Sequence, residues 1–322
     1  MVKLVDIAAA AHVSKAAVSY AFSSDPAKRG KLSAATLERI LQTAADLDYT
    51  PSWTARALAR QRSYNIALLL PEECTRNMSG HYLGLFHGVS SAMADSEYNL
   101  SVFFGCDRKF MQNVQHNRID GLVVIARRHQ SAVFSMLGQL EHPMVFLNRT
   151  APGECGNAGS CRSDYRRWLE EILLEFKARQ IKQCTLFYRE ERNSDQEIRQ
   201  LFAGLCSDLG LKSSELKREN FGSFDVNSAD SAMVFCGSSP EIIDVLSRAK
   251  NDNYVMLSTP ATNRRGLLIQ QNLYYHDSKN IGRAGVNMLL KMIDAHAAPE
   301  DLTIPLVQIR EAGGSGNLTF EF

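Results

Sequence analysis

The chain has 322 residues, of which 45% are hydrophobic and 22% charged, with a formal net charge of +1. This composition excludes disordered, collagen-like and disulfide-scaffold classes, and the length suits two or three domains that each bury a core. The charge is unevenly placed: residues 1–64 hold nine Lys/Arg against five Asp/Glu, whereas residues 65–322 hold 27 against 30, so a small basic head precedes a mildly acidic body.

The longest apolar runs, Ile66 to Leu70 and Gly121 to Ala126, fall far below the roughly 18 residues of a membrane helix, and no membrane is expected. The opening Met1-Val2-Lys3-Leu4-Val5-Asp6 places an acid where a signal peptide would continue its apolar core, so export is not expected. Seven scattered cysteines (74, 106, 155, 161, 184, 206 and 236) read as reduced thiols of a cytoplasmic protein. Cys155 and Cys161, the closest pair, lack the second pair or His doublet of a zinc site, and neither metal nor cofactor is expected.

In the head, Leu4 to Ala11 is Ala-rich with apolar residues at helical spacing, and His12-Val13 turns it. Ser14 is the expected N-cap of a second helix, Lys15 to Phe22, which makes a helix-turn-helix with the first. A third helix, Ser33 to Asp46, sets Leu37, Ile40, Leu41, Ala44 and Ala45 on one stripe and closes a three-helix core. The stretch Ser23 to Leu32 between them reads as a basic loop whose Lys28, Arg29 and Lys31 supply electrostatics. The segment Trp53 to Arg60, started by Thr50-Pro51-Ser52, is too short for a stable isolated helix and takes its order from a partner.

Val5-Asp6-Ile7-Ala8, Ala11-His12-Val13-Ser14, Ala17-Val18-Ser19, Tyr49-Thr50-Pro51 and Ala55-Arg56-Ala57-Leu58 occur in the order and spacing of the lac-repressor/galactose-repressor family of transcription regulators, which this chain resembles. The resemblance implies that the second helix enters the major groove of double-stranded operator DNA. Lys15, Ala16 and Tyr20 then face base edges, and Ser14, Ser19 and Ser23 face phosphates. It adds backbone contacts from Ser33, Thr36 and Tyr49, and a hinge helix spanning Ser52, Ala55, Arg56 and Leu58, with Leu58 as the minor-groove wedge. Four positions depart from the family pattern: His12 replaces the turn glycine, Ala17 a threonine, Tyr20 an arginine and Ser52 an asparagine. The loop Ser23 to Leu32 is also about four residues longer than the family's common form.

After Tyr64 the rhythm becomes short apolar strands alternating with amphipathic stretches, as in parallel βαβ sheets. Expected strands are Asn65–Leu70, Leu100–Phe104, Gly121–Ala126 and Met144–Asn148, then Gln183–Tyr188, Ala232–Cys236, Tyr254–Ser258 and Gly266–Gln270. The expected fold class is therefore α plus α/β: a three-helix helix-turn-helix head with a hinge helix (1–62) and a two-lobed body (63–322), which the resemblance makes periplasmic-binding-protein-like. Lobe 1 is placed at about 63–160 and 275–298, and lobe 2 at about 161–274 and 299–322, with the helix near Asp277–Ala295 returning to lobe 1 and the strand near Ile304–Arg310 to lobe 2.

Ligands of open α/β sheets bind beyond the carboxyl ends of the strands. The loops there offer Ser79, His81, Tyr82, Arg127, Asn148, Arg189, Ser238, Ser239, Thr259 and Gln270 as candidate effector-binding residues. The polar set of the family's sugar binders is absent: its positions read Ile198 beside Arg199, Ser238-Ser239, and Pro260-Ala261. No Gly-rich phosphate loop, Gly-x-Ser-x-Gly elbow or His-Glu-x-x-His stretch argues for an enzyme. The expectation is a cytoplasmic, homodimeric regulator, a repressor by family frequency, on a pseudo-palindromic operator, with a tetramer left open. Its small-molecule effector would be a carbohydrate or related metabolite. The alternative is a ligand-independent DNA-binding or architectural protein whose effector pocket has degenerated.

Overall fold

A computed structural model describes residues 2–23, 26–49, 57, 60–127, 130–188, 193–224, 226–237, 239–258 and 272–308. Two units meet in sequence at Ser63/Tyr64. The described part of the first contains α1 (Leu4–Ala10), α2 (Lys15–Ala21), α3 (Pro26–Arg29) and α4 (Ala34–Asp46). Its core is Ile7, Ala8 and Ala11 from the first helix and its cap, Val18 and Ala21 from the second, and Ile40 and Ala44 from the fourth.

Local chemistry sets each boundary. His12 takes the left-handed conformation at φ +52°, and the Val13 N–H donates to the Ala8 carbonyl at 3.0 Å, which ends α1 in a Schellman turn without glycine. Ser14 and Ser33 cap α2 and α4, their hydroxyls accepting from the amides of Ala17 (3.1 Å) and Thr36 (3.2 Å). Leu41 and Ala45, expected on the buried stripe, are exposed, because the stripe centres on Leu37, Ile40 and Ala44 and the next residue in each case lies about 100° round the helix. The stretch read as a loop contains the helical turn α3, started by Pro26 and closed by the Gly30 amide donating to the Pro26 carbonyl at 2.8 Å. The expected hinge segment lies outside the described residues except for Ala57 and Arg60.

Among the described residues the second unit holds two six-stranded sheets. The first runs in the order β11 (Asp301–Ile304), β5 (Ala158–Ser163), β4 (Met144–Leu147), β3 (Gly121–Val124), β1 (Asn65–Leu70), β2 (Asn99–Phe104), all parallel. The second runs β12 (Val307–Gln308), β10 (Leu273–Tyr275), β9 (Tyr254–Ser258), β8 (Ser231–Cys236), β6 (Gln183–Tyr188), β7 (Lys212–Lys217), parallel except for β12. Ile66–Leu70 and Leu122–Val124 are buried on both faces, which is why these strands read as unbroken apolar runs.

Among the described residues the chain passes between the sheets three times: from β5 into α8 (Tyr165–Ala178), from β10 into α11 (Ser278–Asp294), and from β11 into β12. Trp168, Leu169, Ile172, Leu173 and Phe176 of α8 pack with Leu186, Val234 and Leu257 of the second sheet. Helix α11 lies against α5 (Gly80–Ala94) and the first sheet. Residues 301–304, assigned from sequence to lobe 2, instead pair with β5 in the first sheet, because Asp301 to Ile304 continues its parallel ladder before the final crossing. The strand expected at Gly266–Gln270 lies outside the described residues.

Helices α5 and α11 meet backbone to backbone. A Cβ on Gly88 would stand 2.0 Å from the Lys279 carbonyl oxygen, and one on Gly282 would stand 2.4 Å from that of Leu85. Gly84 faces Ser278 in the same crossing, and Gly285 faces Leu147 of β4 in the first sheet. Among the described residues no helix is long and apolar enough to cross a membrane.

Candidate nucleic-acid interface and ligand cleft

Helix α2 presents Lys15, Ala16 and Ser19 to solvent and keeps Tyr20 half-buried, while Val18 and Ala21 anchor its opposite face. The exposed side thus gathers the expected base readers on one short, capped helix. Ser14 is exposed although its oxygen is engaged as the cap, which leaves its hydroxyl hydrogen to donate outward. At the start of α4, Ser33 and Thr36 share a hydroxyl hydrogen bond of 2.8 Å beside the free amides of the first turn, a suitable setting for an anionic oxygen. Tyr49 is half-buried and packs its ring against Phe22 at 5.3 Å between centroids, so its ring is structural. Ser23 is half-buried at the end of α2. Ser52, Ala55, Arg56 and Leu58 lie outside the described residues.

In the second unit the carboxyl ends of the sheets bring together residues from two of the passages between the sheets and from the start of α5. Ser79 caps α5, accepting from the Tyr82 amide at 3.4 Å, and so orients the next two side chains. His81 Nδ1 lies 2.8 Å from Ser278 Oγ at the start of α11. Its ring stands 4.9 Å from that of His276, whose Nδ1 lies 2.8 Å from Ser163 Oγ at the end of β5. Tyr165 places its edge against His276, and burial pushes its phenol pKa up. This row, Ser278–His81–His276–Ser163, joins both sheets. His276, Ser278, Ser163 and Tyr165 belong to no motif; Ser163 and His276 sit at the ends of β5 and β10, where the strand-end rule would have found them once those strands were known.

Of the other candidates, Arg127, Tyr82 and Ser239 are already engaged within the chain. Arg127 pairs with Glu73 at 2.5 Å and hydrogen-bonds the Tyr82 phenol, whose pKa burial nevertheless raises. Arg127 was expected to meet an anionic ligand; Glu73 already supplies that charge. Asn148, at φ +58°, carries a side-chain oxygen shielded from solvent with no hydrogen-bond partner among the described residues. Ser239 caps helix α10 (Pro240–Ser247), accepting from Ile242 at 3.4 Å. Ile198 is buried in the core, while Arg199 pairs with Glu215 at 2.6 Å and stacks on Tyr188, so neither faces a ligand. Arg189, Ser238, Thr259 and Gln270 lie outside the described residues. No cluster of three metal-ligating side chains occurs among the described residues.

The class defined by these observations is a helix-turn-helix domain followed by a two-sheet α/β body with its polar cleft at the strand ends. Residues 3–52 match the family described as bacterial regulatory proteins, lacI family. The regulator PtxS of Pseudomonas plecoglossicida is 35% identical over 153 residues, covering 46% of this chain and 43% of PtxS. The probable repressor ExuR of Bacillus subtilis (strain 168) is 30% identical over 150 residues, 46% and 44% of the two chains. The matched stretch thus spans less than half the length of these relatives. Among solved structures, a lac repressor dimer bound to operator and the anti-inducer ONPF superposes with a TM-score of 0.61 at 15% identity, covering 96% of this chain and 98% of that one. A complex of the regulator CelR with cellobiose gives 0.57 at 15% identity over 98% and 100%. These likenesses extend the shared fold over nearly the whole chain.

Proposed function

We propose that this protein is a sequence-specific DNA-binding transcription regulator, acting as a repressor on a pseudo-palindromic operator, and not an enzyme. The carrying observation is α2: a capped recognition helix with Lys15, Ala16 and Tyr20 on its outer side, inside a domain matched from residue 3 to 52. The names of several relatives support repression, among them the sucrose operon repressor of Klebsiella pneumoniae and the ribose operon repressor of Bacillus subtilis (strain 168). A homodimer on the operator is supported by exposed apolar side chains on α5 (Leu83) and the edge strand β2 (Val102, Phe104). The reading implies a cytoplasmic location, where the operator is.

The cleft around His81 and His276 is the proposed seat of a small-molecule effector, a carbohydrate or related metabolite, whose binding shifts the lobes and with them operator affinity. One observation favours a second reading, ligand independence. Arg127, His81, His276 and Ser239 all have partners within the chain, as a cleft that needs no ligand would. Selection of binding sites from a random duplex pool tests the first reading; failure to enrich any sequence would sink it. A thermal-shift screen against sugars, sugar acids and phosphates, and nucleosides separates the two, since a ligand at 100 times its Kd adds about 2.7 kcal/mol. A hit that also moves operator affinity supports effector control, and a screen without hits beside a responding control protein supports ligand independence.

A further inference from the structure

Helix α2 carries a single cation, Lys15, and another of its candidate readers, Tyr20, has no guanidinium with which to address guanine. A replacement charge stands beside it. The turn α3 carries Lys28 and Arg29, with Lys31 just beyond; all three are exposed, and Pro26 to Leu32 contains no acid. Two contacts fix this turn to the end of α2. The Arg29 guanidinium donates from Nε to the Ala21 carbonyl at 3.2 Å, satisfying an acceptor at the negative end of α2. The Lys31 ammonium lies 5.5 Å from the centroid of the Tyr20 ring. Leu32, half-buried, packs the far side of the turn on the head's core.

We infer that Tyr20 and Lys31 act as one composite base reader, with Lys31 the specificity-determining residue that the turn α3 delivers to the recognition helix. Tyr20 alone offers a hydroxyl that both donates and accepts and so discriminates weakly. The ammonium on its ring adds a donor-only group, which favours the O6 and N7 acceptors of guanine. Arg29 serves as a positioning residue, since its charge is spent holding the turn. This inference rests on α2 being the groove helix.

The test is binding-site selection with full-length protein, followed by affinities on matched and singly altered operators over a salt series. Lys31→Met keeps the stem over the ring and removes the charge. It is expected to lower discrimination about tenfold at the base-pair position that Tyr20→Ala also flattens, with the double variant no worse there than either single one. Lys31→Arg should keep the preferred base. Two results overturn the inference: Lys31→Met weakening all sequences equally while the salt slope falls by about one, which marks a phosphate contact, or no change at all. Enrichment by the wild type with an unchanged Lys31→Met consensus refutes only the composite reader, whereas no enrichment by the wild type refutes the regulator reading with it. Lys31 is exposed, so an unchanged melting temperature verifies the fold of each variant.

Discussion

At the scale of single residues, two histidines show how position decides chemistry. His142 has a ring nitrogen, Nδ1, enclosed without a partner among the described residues, and burial lowers its pKa despite the nearby Asp120 and Glu141. A depressed folded pKa means that the contribution of His142 is complete above the unfolded value, near 6.5, and is lost as pH falls through the folded one. The expected outcome is that His142→Gln flattens the loss of stability between about pH 7 and 5, measured by urea denaturation at each pH. An unchanged slope would assign that limb to other groups. His12, by contrast, is defined by backbone: at φ +52° a β-branched side chain is strained. His12→Val should therefore cost the head about 1–2 kcal/mol, read as faster hydrogen exchange of α1 and α2 amides in the full-length protein, while His12→Gly should not. This turn was legible in sequence, because the place of a glycine was marked by the residues around it. The pairing of His81 with His276 was not, since it depends on two segments 195 positions apart meeting at the crossings.

At the scale of elements, the contact of α5 with α11 carries the sharpest expectation. Gly88→Ala would force a methyl to within 2.0 Å of a backbone oxygen that cannot rotate away. The helices must separate, at a cost of about 3 kcal/mol, visible as a lowered denaturation midpoint. Gly204→Ala provides the counterpart. That glycine lies exposed in the helix Asn193–Leu209 with nothing within 4 Å of an added Cβ, so alanine should raise stability by about 0.5–1 kcal/mol. If both substitutions behaved alike, the close packing would not be the cause. Elements were legible where burial dictates composition, as in β1, β3 and β4. They were hidden where it does not: β5 reads Ala-Gly-Ser-Cys-Arg-Ser, and β7, at a sheet edge, reads Lys-Ser-Ser-Glu-Leu-Lys. Turn α3 was hidden for another reason, because a proline followed by basic residues suits a loop as well as a helical first turn.

For the whole molecule, the apolar strip on α5 and β2 bears on assembly. Leu83, 51% exposed, has no burial within the chain to justify it. Leu83→Asp is expected to convert a dimer to a monomer in light scattering and to weaken operator binding more at low protein concentration than at high, since two linked heads bind with an effective local concentration. A variant that stays dimeric would move the interface elsewhere. The architecture could be anticipated from the alternation of strands and helices, but the sheet membership of residues 301–304 could not, because four residues of mixed polarity fit either ladder.

The three passages between the sheets have a mechanical consequence. Three separate strips of chain joining two stiff bodies form a flexure, which bends readily about the line through the strips and resists twisting or sliding. One angle then describes the motion of the lobes. Ser163 and His276 sit on two different strips and are tied by a 2.8 Å contact, while Ser278 on the second strip is tied to His81 on the first lobe. These ties brace the joint from inside the cleft, so a molecule competing for either serine would act on the spring and not only on the walls.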